Sequence, residues 1–153
     1  MRSNPRVPRT TVSARYLLEE TGRLRQYLQD VKAIREETLA SAYPSSPLNG
    51  TGRGSSDGSS RTERTALRLT DVQLSIEEQE WRYKALNRRV NRMLSNVRKS
   101  YERLLRLRYL EGASWDTIMR VIKCSDKRSL YRMHNRALEA ADVALQKLGD
   151  MEE

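Results

Sequence analysis

Apolar residues recur along the chain three and four positions apart, the rhythm of helices that bury one face. The clearest run is Leu69, Val72, Ile76, Gln79, Tyr83, Leu86, Val90, Met93 and Val97. It predicts a long amphipathic helix over residues 63–98, packed on a partner helix. Gln79 is its one polar member, and a polar residue in such a seam fixes register. A less regular line, Leu17, Leu24, Tyr27, Val31 and Ile34, predicts a second helix over 12–42. Glu20 and Thr38 interrupt that line, and Thr11 or Ser13 supplies its cap. The two helices are natural partners, folded back on one another in a hairpin. Pairing through the same heptad helices in a homodimer is the alternative.

The segments around them read differently. Residues 1–11, with Pro5 and Pro8, read as a disordered basic arm. Residues 43–62 carry Pro44, Pro47 and a run of Gly and Ser, and read as a flexible loop. Ser95 and Asn96 offer a break and a cap before a helix over 97–110, whose apolar content is Tyr101, Leu104, Leu105, Leu107 and Tyr109. Glu111-Gly112 ends it, glycine being favoured just past a helix C-terminus. Ser114 caps a short helix with Trp115, Ile118, Met119 and Ile122 on one face. A turn from Lys123 to Arg128, with Ser125 or Asp126 as the next cap, leads into a last helix over 127–148. That helix points Leu130, Met133, Ala137, Ala141 and Leu148 inward, and an acidic tail, 149–153, follows. The expected fold is all-α. A long hairpin or coiled-coil-like stalk over 12–98 precedes a small head over 97–148, and the stalk lends packing area to a head too small to be very stable alone.

Charge sharpens this picture. The 153 residues carry a formal net charge of +9, but residues 81–136 alone hold 16 Lys and Arg against 4 Asp and Glu, so +12. The rest of the chain is slightly acidic. A basic segment of this kind is the distribution that nucleic-acid binding needs. A solvated helix face is the plainer explanation for such a run, since Arg is a good helix former.

The three closing helices read as a helix-turn-helix, which presents its last helix as a rod for the major groove. The first turns of that helix carry Lys127, Arg128, Ser129, Tyr131, Arg132 and Asn135, the candidates for reading bases. Arg pairs bidentately with guanine and Asn with adenine. Ser114, Arg120, Lys123 and Arg136 are the candidates for backbone phosphates, which set register without reading sequence.

The segments Leu105–Gly112, Ser114–Ile118 and Leu130–Leu138 resemble the promoter-reading fourth region of sigma factors. The order of the whole chain adds to this: a helix with a Tyr-Leu stretch, Tyr43-Pro44 before a Gly/Ser loop, and Arg61-Thr62-Glu63-Arg64 opening a long helix. Over residues 15–148 it is similar to RinA/ArpU-type late-gene transcriptional activators of phages infecting Gram-positive bacteria. The resemblance implies a promoter-binding activator of late, packaging-linked operons, acting in the bacterial cytoplasm. The expected mechanism places the head in the major groove of double-stranded DNA, with the stalk dimerising or touching RNA polymerase. A sigma-like factor docked on the polymerase and a packaging adaptor with nonspecific DNA affinity are the rival functions. Met119 stands where the sigma-type pattern favours a small residue, and Lys123 stands where Gly is common. The turn from Ser125 to Leu130 also looks one residue long, which leaves the register of the reading helix open by one position.

No other chemistry competes. One Cys and one His make no disulfide framework and no zinc site by themselves, and the lone Cys suits a reducing compartment. No apolar run approaches a membrane span, and the start of the chain has no signal-peptide core. His134, at helical spacing between Leu130 and Ala137, reads as a packed residue rather than a general base. Cys124 has Lys123 and Lys127 nearby, which would favour a thiolate, but an inert, semi-buried Cys is the plainer reading. Trp115 reads as an anchor of the head, whereas Trp81 lies off the heptad seam. Glu77, Glu78 and Glu80 have no His, Ser or ligand set with them and read as a solvated face. Gly52 and Gly54 lack the preceding strand of a nucleotide loop. The expectation is a binding protein with no catalytic residues, no metal and no cofactor.

Overall fold

A computed structural model of the chain describes residues 12–42 and 57–151. The predicted arm at 1–11, residues 43–56 of the predicted loop and the last two residues of the acidic tail lie outside these. Among the described residues every regular element is helical. They are α1 (Ala14–Ala42), α2 (Asp57–Ser95), α3 (Lys99–Leu105), a single π-helical turn (Arg106–Leu110), α4 (Trp115–Ile122) and α5 (Lys127–Met151).

Ser13 opens α1, its Oγ accepting from the Tyr16 amide at 3.2 Å. The amide of Ala14 donates instead to Asp142 Oδ1 of α5 at 2.7 Å, so a distant side chain completes the cap. The inward line of α1 keeps Leu17 and Leu24 of the expected one and departs from it after Leu24. Leu17, Leu18, Thr21, Leu24 and Leu28 are buried, whereas Tyr27 and Ile34 are exposed. Leu28 continues the 3–4 spacing from Leu17 through Thr21 and Leu24, and that places Tyr27 on the flank. Thr21 is tolerated inside because its hydroxyl donates to the Leu17 carbonyl at 2.7 Å.

Helix α2 begins at Asp57, inside the stretch read as loop to residue 62. Extending an existing helix costs little once its nucleus is in place, so the periodic segment propagates back through Ser59 and Ser60. Eight of the nine seam residues lie in α2 and the ninth, Val97, falls just past its end; none of the nine is exposed, while Leu67, Leu74 and Trp81, off the seam, are. The break falls at Ser95 and Asn96, but neither caps α3. Ser95 Oγ and Asn96 Nδ2 both donate back to the Arg92 carbonyl, at 2.8 and 2.9 Å, and so finish α2. Arg98 stands at the N-cap of α3 with no side-chain bond. The helix expected over 97–110 is α3 followed by the π turn, closed by the Glu111 amide on the Arg106 carbonyl at 2.9 Å. Gly112 then takes φ +67°, the left-handed conformation that ends the segment.

The chain divides into two compact units. One is Leu24–Lys84, in which Leu24, Leu28 and Ile76 are buried and Lys32 of α1 pairs with Glu80 of α2. The other takes the described residues of Met1–Arg23 and Ala85–Glu153. The head therefore extends beyond the expected 97–148. Leu17 and Leu18 of α1 and Val90, Met93 and Leu94 of α2 join Leu104, Leu105, Ile118, Leu130, Ala137 and Ala141 in one core. Short helices with single apolar faces need such cover, since each buried Leu contributes only about 1.5–3 kcal/mol. At Gly22 α1 lies close against the π turn. A methyl group built there would overlap the carbonyl oxygen of Tyr109 in the π turn.

Candidate nucleic-acid interface

Helix α4 starts at Ser114, whose Oγ accepts from the Thr117 amide at 3.2 Å and lies 2.9 Å from the Thr117 hydroxyl. It ends at Lys123, with φ 60° and ψ 42°, followed by the Cys124 amide donating to Met119 O at 3.0 Å. This is a left-handed helix stop of the kind usually made by glycine. A residue with a Cβ costs about 1–2 kcal/mol more there. Lys123 thus takes the left-handed conformation that glycine adopts most readily.

Asp126 starts α5. Its Oδ1 accepts from the Arg128 amide at 3.1 Å, and its Oδ2 accepts from the Ser129 amide at 3.4 Å. Of the two caps offered by the sequence, Asp126 is the one used. Ser125 and Asp126 are both exposed, and Cys124 is half-buried with its thiol donating to the Asp126 carbonyl at 3.3 Å.

Leu130, Ala137 and Ala141 turn one face of α5 into the core, with Met133 and His134 packed beside them. All ten residues singled out for DNA contact are exposed: Lys127, Arg128, Ser129, Tyr131, Arg132, Asn135, Ser114, Arg120, Lys123 and Arg136. Their situations differ. Arg128, Arg132 and Asn135 stand four and three residues apart and form one outward line opposite Leu130 and Ala137. Among the described residues their side chains have no hydrogen-bond or ion-pair partner. Ser129 is turned back, its Oγ donating to Asp126 Oδ2 at 3.3 Å. Lys127 Nζ pairs with Asp116 Oδ1 at 3.1 Å, which raises its pKa. Both partners are exposed, so the pair is weak and screened by salt. Arg120 Nε leans on the Asp116 carbonyl at 3.5 Å. Asp116 and its hold on Lys127 were not read from the sequence. An acid in the first turn of a helix was the available signal.

Tyr131 lies at the edge of the line and belongs to an aromatic group under it. Its ring meets Trp115 edge-on at 5.1 Å, and Trp115 meets His134 edge-on at 5.0 Å. Arg108, from the π turn, lies over Trp115 at 4.4 Å and donates to the Ala113 carbonyl at 3.2 Å. Tyr109 Oη sits 2.8 Å from His134 Nε2, with the two rings stacked. Helix α5 is therefore seated through its second turn on groups from α4 and the π turn. Trp115 is partly buried at the rim of the core, beneath Arg108.

His134 gives this group a pH signature. Burial first, and then the Arg15 and Arg108 guanidiniums, hold its pKa below the ordinary 6.5. The unfolded chain takes up its imidazole proton before the folded chain does. Stability is therefore full above about pH 6.5 and falls as pH drops toward the folded pKa. It is the only histidine in the chain, and carboxylates titrate lower. Urea midpoints should thus decline between about pH 7 and 5.5 in the native protein. The decline should be flatter in His134→Gln, and equal slopes in both would place the titration elsewhere.

Among the described residues no cluster of three or more His, Cys, Asp or Glu is placed to hold a metal ion. Nor is any described helix long and apolar enough to cross a membrane. Comparison of the chain with protein-family models, curated proteins and solved structures finds no match.

Proposed function

We propose that the chain is a DNA-binding transcriptional activator whose α4–α5 pair acts as a helix-turn-helix of the sigma-region-4 kind. In this reading α1 and α2 form the stalk, and the first turns of α5 enter the major groove of a promoter. The observation that carries it is the outward line Arg128, Arg132 and Asn135, exposed on a helix whose opposite side is locked into the core. An Arg–Arg–Asn line is suited to guanine and adenine edges. Ser114 at the start of α4 and Lys123 in the turn lie on the elements flanking it and suit backbone phosphates. The resemblance to RinA/ArpU-type activators supplies the biological setting, late genes of a phage, and the function involves no catalysis.

The test is binding of the full chain to duplexes from its own genome region, followed by footprinting and titration with salt. About six neutralised phosphates give a log–log salt slope of roughly −5. Arg132→Ala or Asn135→Ala should weaken specific binding by about 1–3 kcal/mol and leave binding to random duplex nearly intact. Equal loss on all sequences would demote these residues to phosphate contacts. Equal native affinity for random and genomic duplexes would favour the packaging adaptor. Co-purification with polymerase lacking its own sigma subunit would favour the sigma-like factor.

A further inference from the structure

Helix α2 has a second pattern, on the side away from its seam. Leu67, Leu74 and Trp81 follow one another at seven-residue intervals and are 66%, 59% and 74% exposed. Heptad spacing holds them to one stripe. Exposed single apolar residues are ordinary, but a line of three ending in a Trp is a patch with a direction. The charges beside it change sign at the Trp. From Leu69 to Trp81 the helix carries Asp71, Glu77, Glu78 and Glu80 and no basic residue. From Arg82 to Arg92 it carries five basic residues and no acid.

The basic stretch borders a groove. A cavity of about 460 Å³ lies between α2 and the end of α5, lined by Ala85, Arg88, Arg89, Arg92, Leu145 and Leu148 among others. Its lining combines the apolar Ala85, Leu145 and Leu148 with three arginines. Leu145 is 13 residues beyond Arg132, about 20 Å along α5. It also continues the inward line of Leu130, Ala137 and Ala141, so the groove does not share the face of Arg128, Arg132 and Asn135. A nucleic-acid backbone matches the arginines but leaves the leucines uncovered. An aromatic side chain flanked by carboxylates suits both.

We infer that this groove receives the Trp81 stripe of a second copy of the chain, so that two α2 helices pair antiparallel about the change of charge. The indole enters between Leu145 and Leu148 under the arginine side chains, which adds a cation–π contact to apolar burial. Glu78 of one copy faces the Arg88–Arg89 pair of the other. Because each helix carries both halves, the exchange occurs twice and closes on a two-fold axis. Tryptophan is the residue type on which such interfaces most often depend. The inference is independent of the DNA reading, since it uses another face.

Sedimentation equilibrium of the full chain over about a hundredfold range of concentration tests it. The expected result is a monomer–dimer equilibrium. Trp81→Ala should raise the dissociation constant by roughly thirty-fold or more, the loss typical of an anchoring residue. All the altered side chains are exposed, and circular dichroism checks that helix content is retained. Glu78→Lys and Arg89→Glu should each be monomeric alone, because each doubles a like-charge contact. Mixed in equal amounts they should form a heterodimer, in which both contacts are again opposite in sign. A native chain that stays monomeric, a Trp81→Ala dimer as tight as the native one, or a mixture that fails to pair would overturn the inference. So would growth past the dimer, because a two-fold exchange has no free end.

Discussion

Gly22→Ala is expected to destabilise the protein by about 3 kcal/mol, at the upper end of what overpacking usually costs. In an isolated helix the same change would stabilise by up to about 1 kcal/mol, since Ala is the better helix former. The sign reverses here because the new Cβ would collide with the carbonyl oxygen of Tyr109, and the carbonyl carbon lies only 3.2 Å from the same point. That oxygen belongs to backbone in a π turn whose amides already bond to the preceding turn. No flexible side chain can swing aside. Either α1 lifts off or the turn shifts, and both disturb Tyr109 against His134. The thermal midpoint should drop by about 6–12 °C for a chain of this size. A neutral or stabilising result would mean that α1 does not seat on the π turn. Measuring Gly22→Ser beside it separates the steric cause from propensity, since both residues carry a Cβ and differ in helix preference.

This glycine shows what kind of information the sequence carried. Gly in the middle of a helix costs stability unless something demands the missing side chain. The demand came from Tyr109, 87 positions away, and no periodicity reaches that far. The α2 seam was legible because eight positions along the helix agreed, and none of them is exposed. The α1 line was read correctly at Leu17 and Leu24 but not at Tyr27 and Ile34, which look like core, while Thr21, which is core, looks like surface. Composition favours the first pair, and only the self-satisfied hydroxyl of Thr21 makes the second arrangement affordable. The break at Ser95 and Asn96 was legible, but not that both side chains would turn back to Arg92. The π turn was not legible at all. One extra residue in a helical turn leaves the apolar pattern of α3 nearly unchanged and depends on what packs against it.

The candidate interface was easier to read than its support. Exposure of Arg128, Arg132 and Asn135 follows from the inward spacing of Leu130, Met133 and Ala137, which the sequence displays directly. Asp116, Arg108 and Tyr109 come from α4 and the π turn, and local spacing does not say which of their neighbours they will meet. The Asp126 cap belongs to the legible part, because a carboxylate three residues before Ser129 is a local pattern.

Leu130→Ala makes the separation between support and contact measurable. Leu130 is fully buried, two residues from Arg132 on the same helix. Its truncation removes apolar contacts and leaves a cavity between α5 and the rest of the core, at a cost of about 2–5 kcal/mol. Total stability in single domains is about 5–15 kcal/mol, so a large part of it would go. Arg132→Ala touches no core residue and should change stability by less than about 0.5 kcal/mol. On the proposed DNA-binding function the order reverses. Molecules of Leu130→Ala that remain folded still present the outward line, so their specific affinity should fall only by the fraction unfolded and recover as temperature is lowered toward maximal stability. Arg132→Ala should lose specific affinity at every temperature. Urea titration and duplex binding on the same two variants read both effects. If Leu130→Ala stays folded yet loses sequence preference as Arg132→Ala does, α5 does not act as a rigid reading rod, and its side chains are placed only once the DNA is bound.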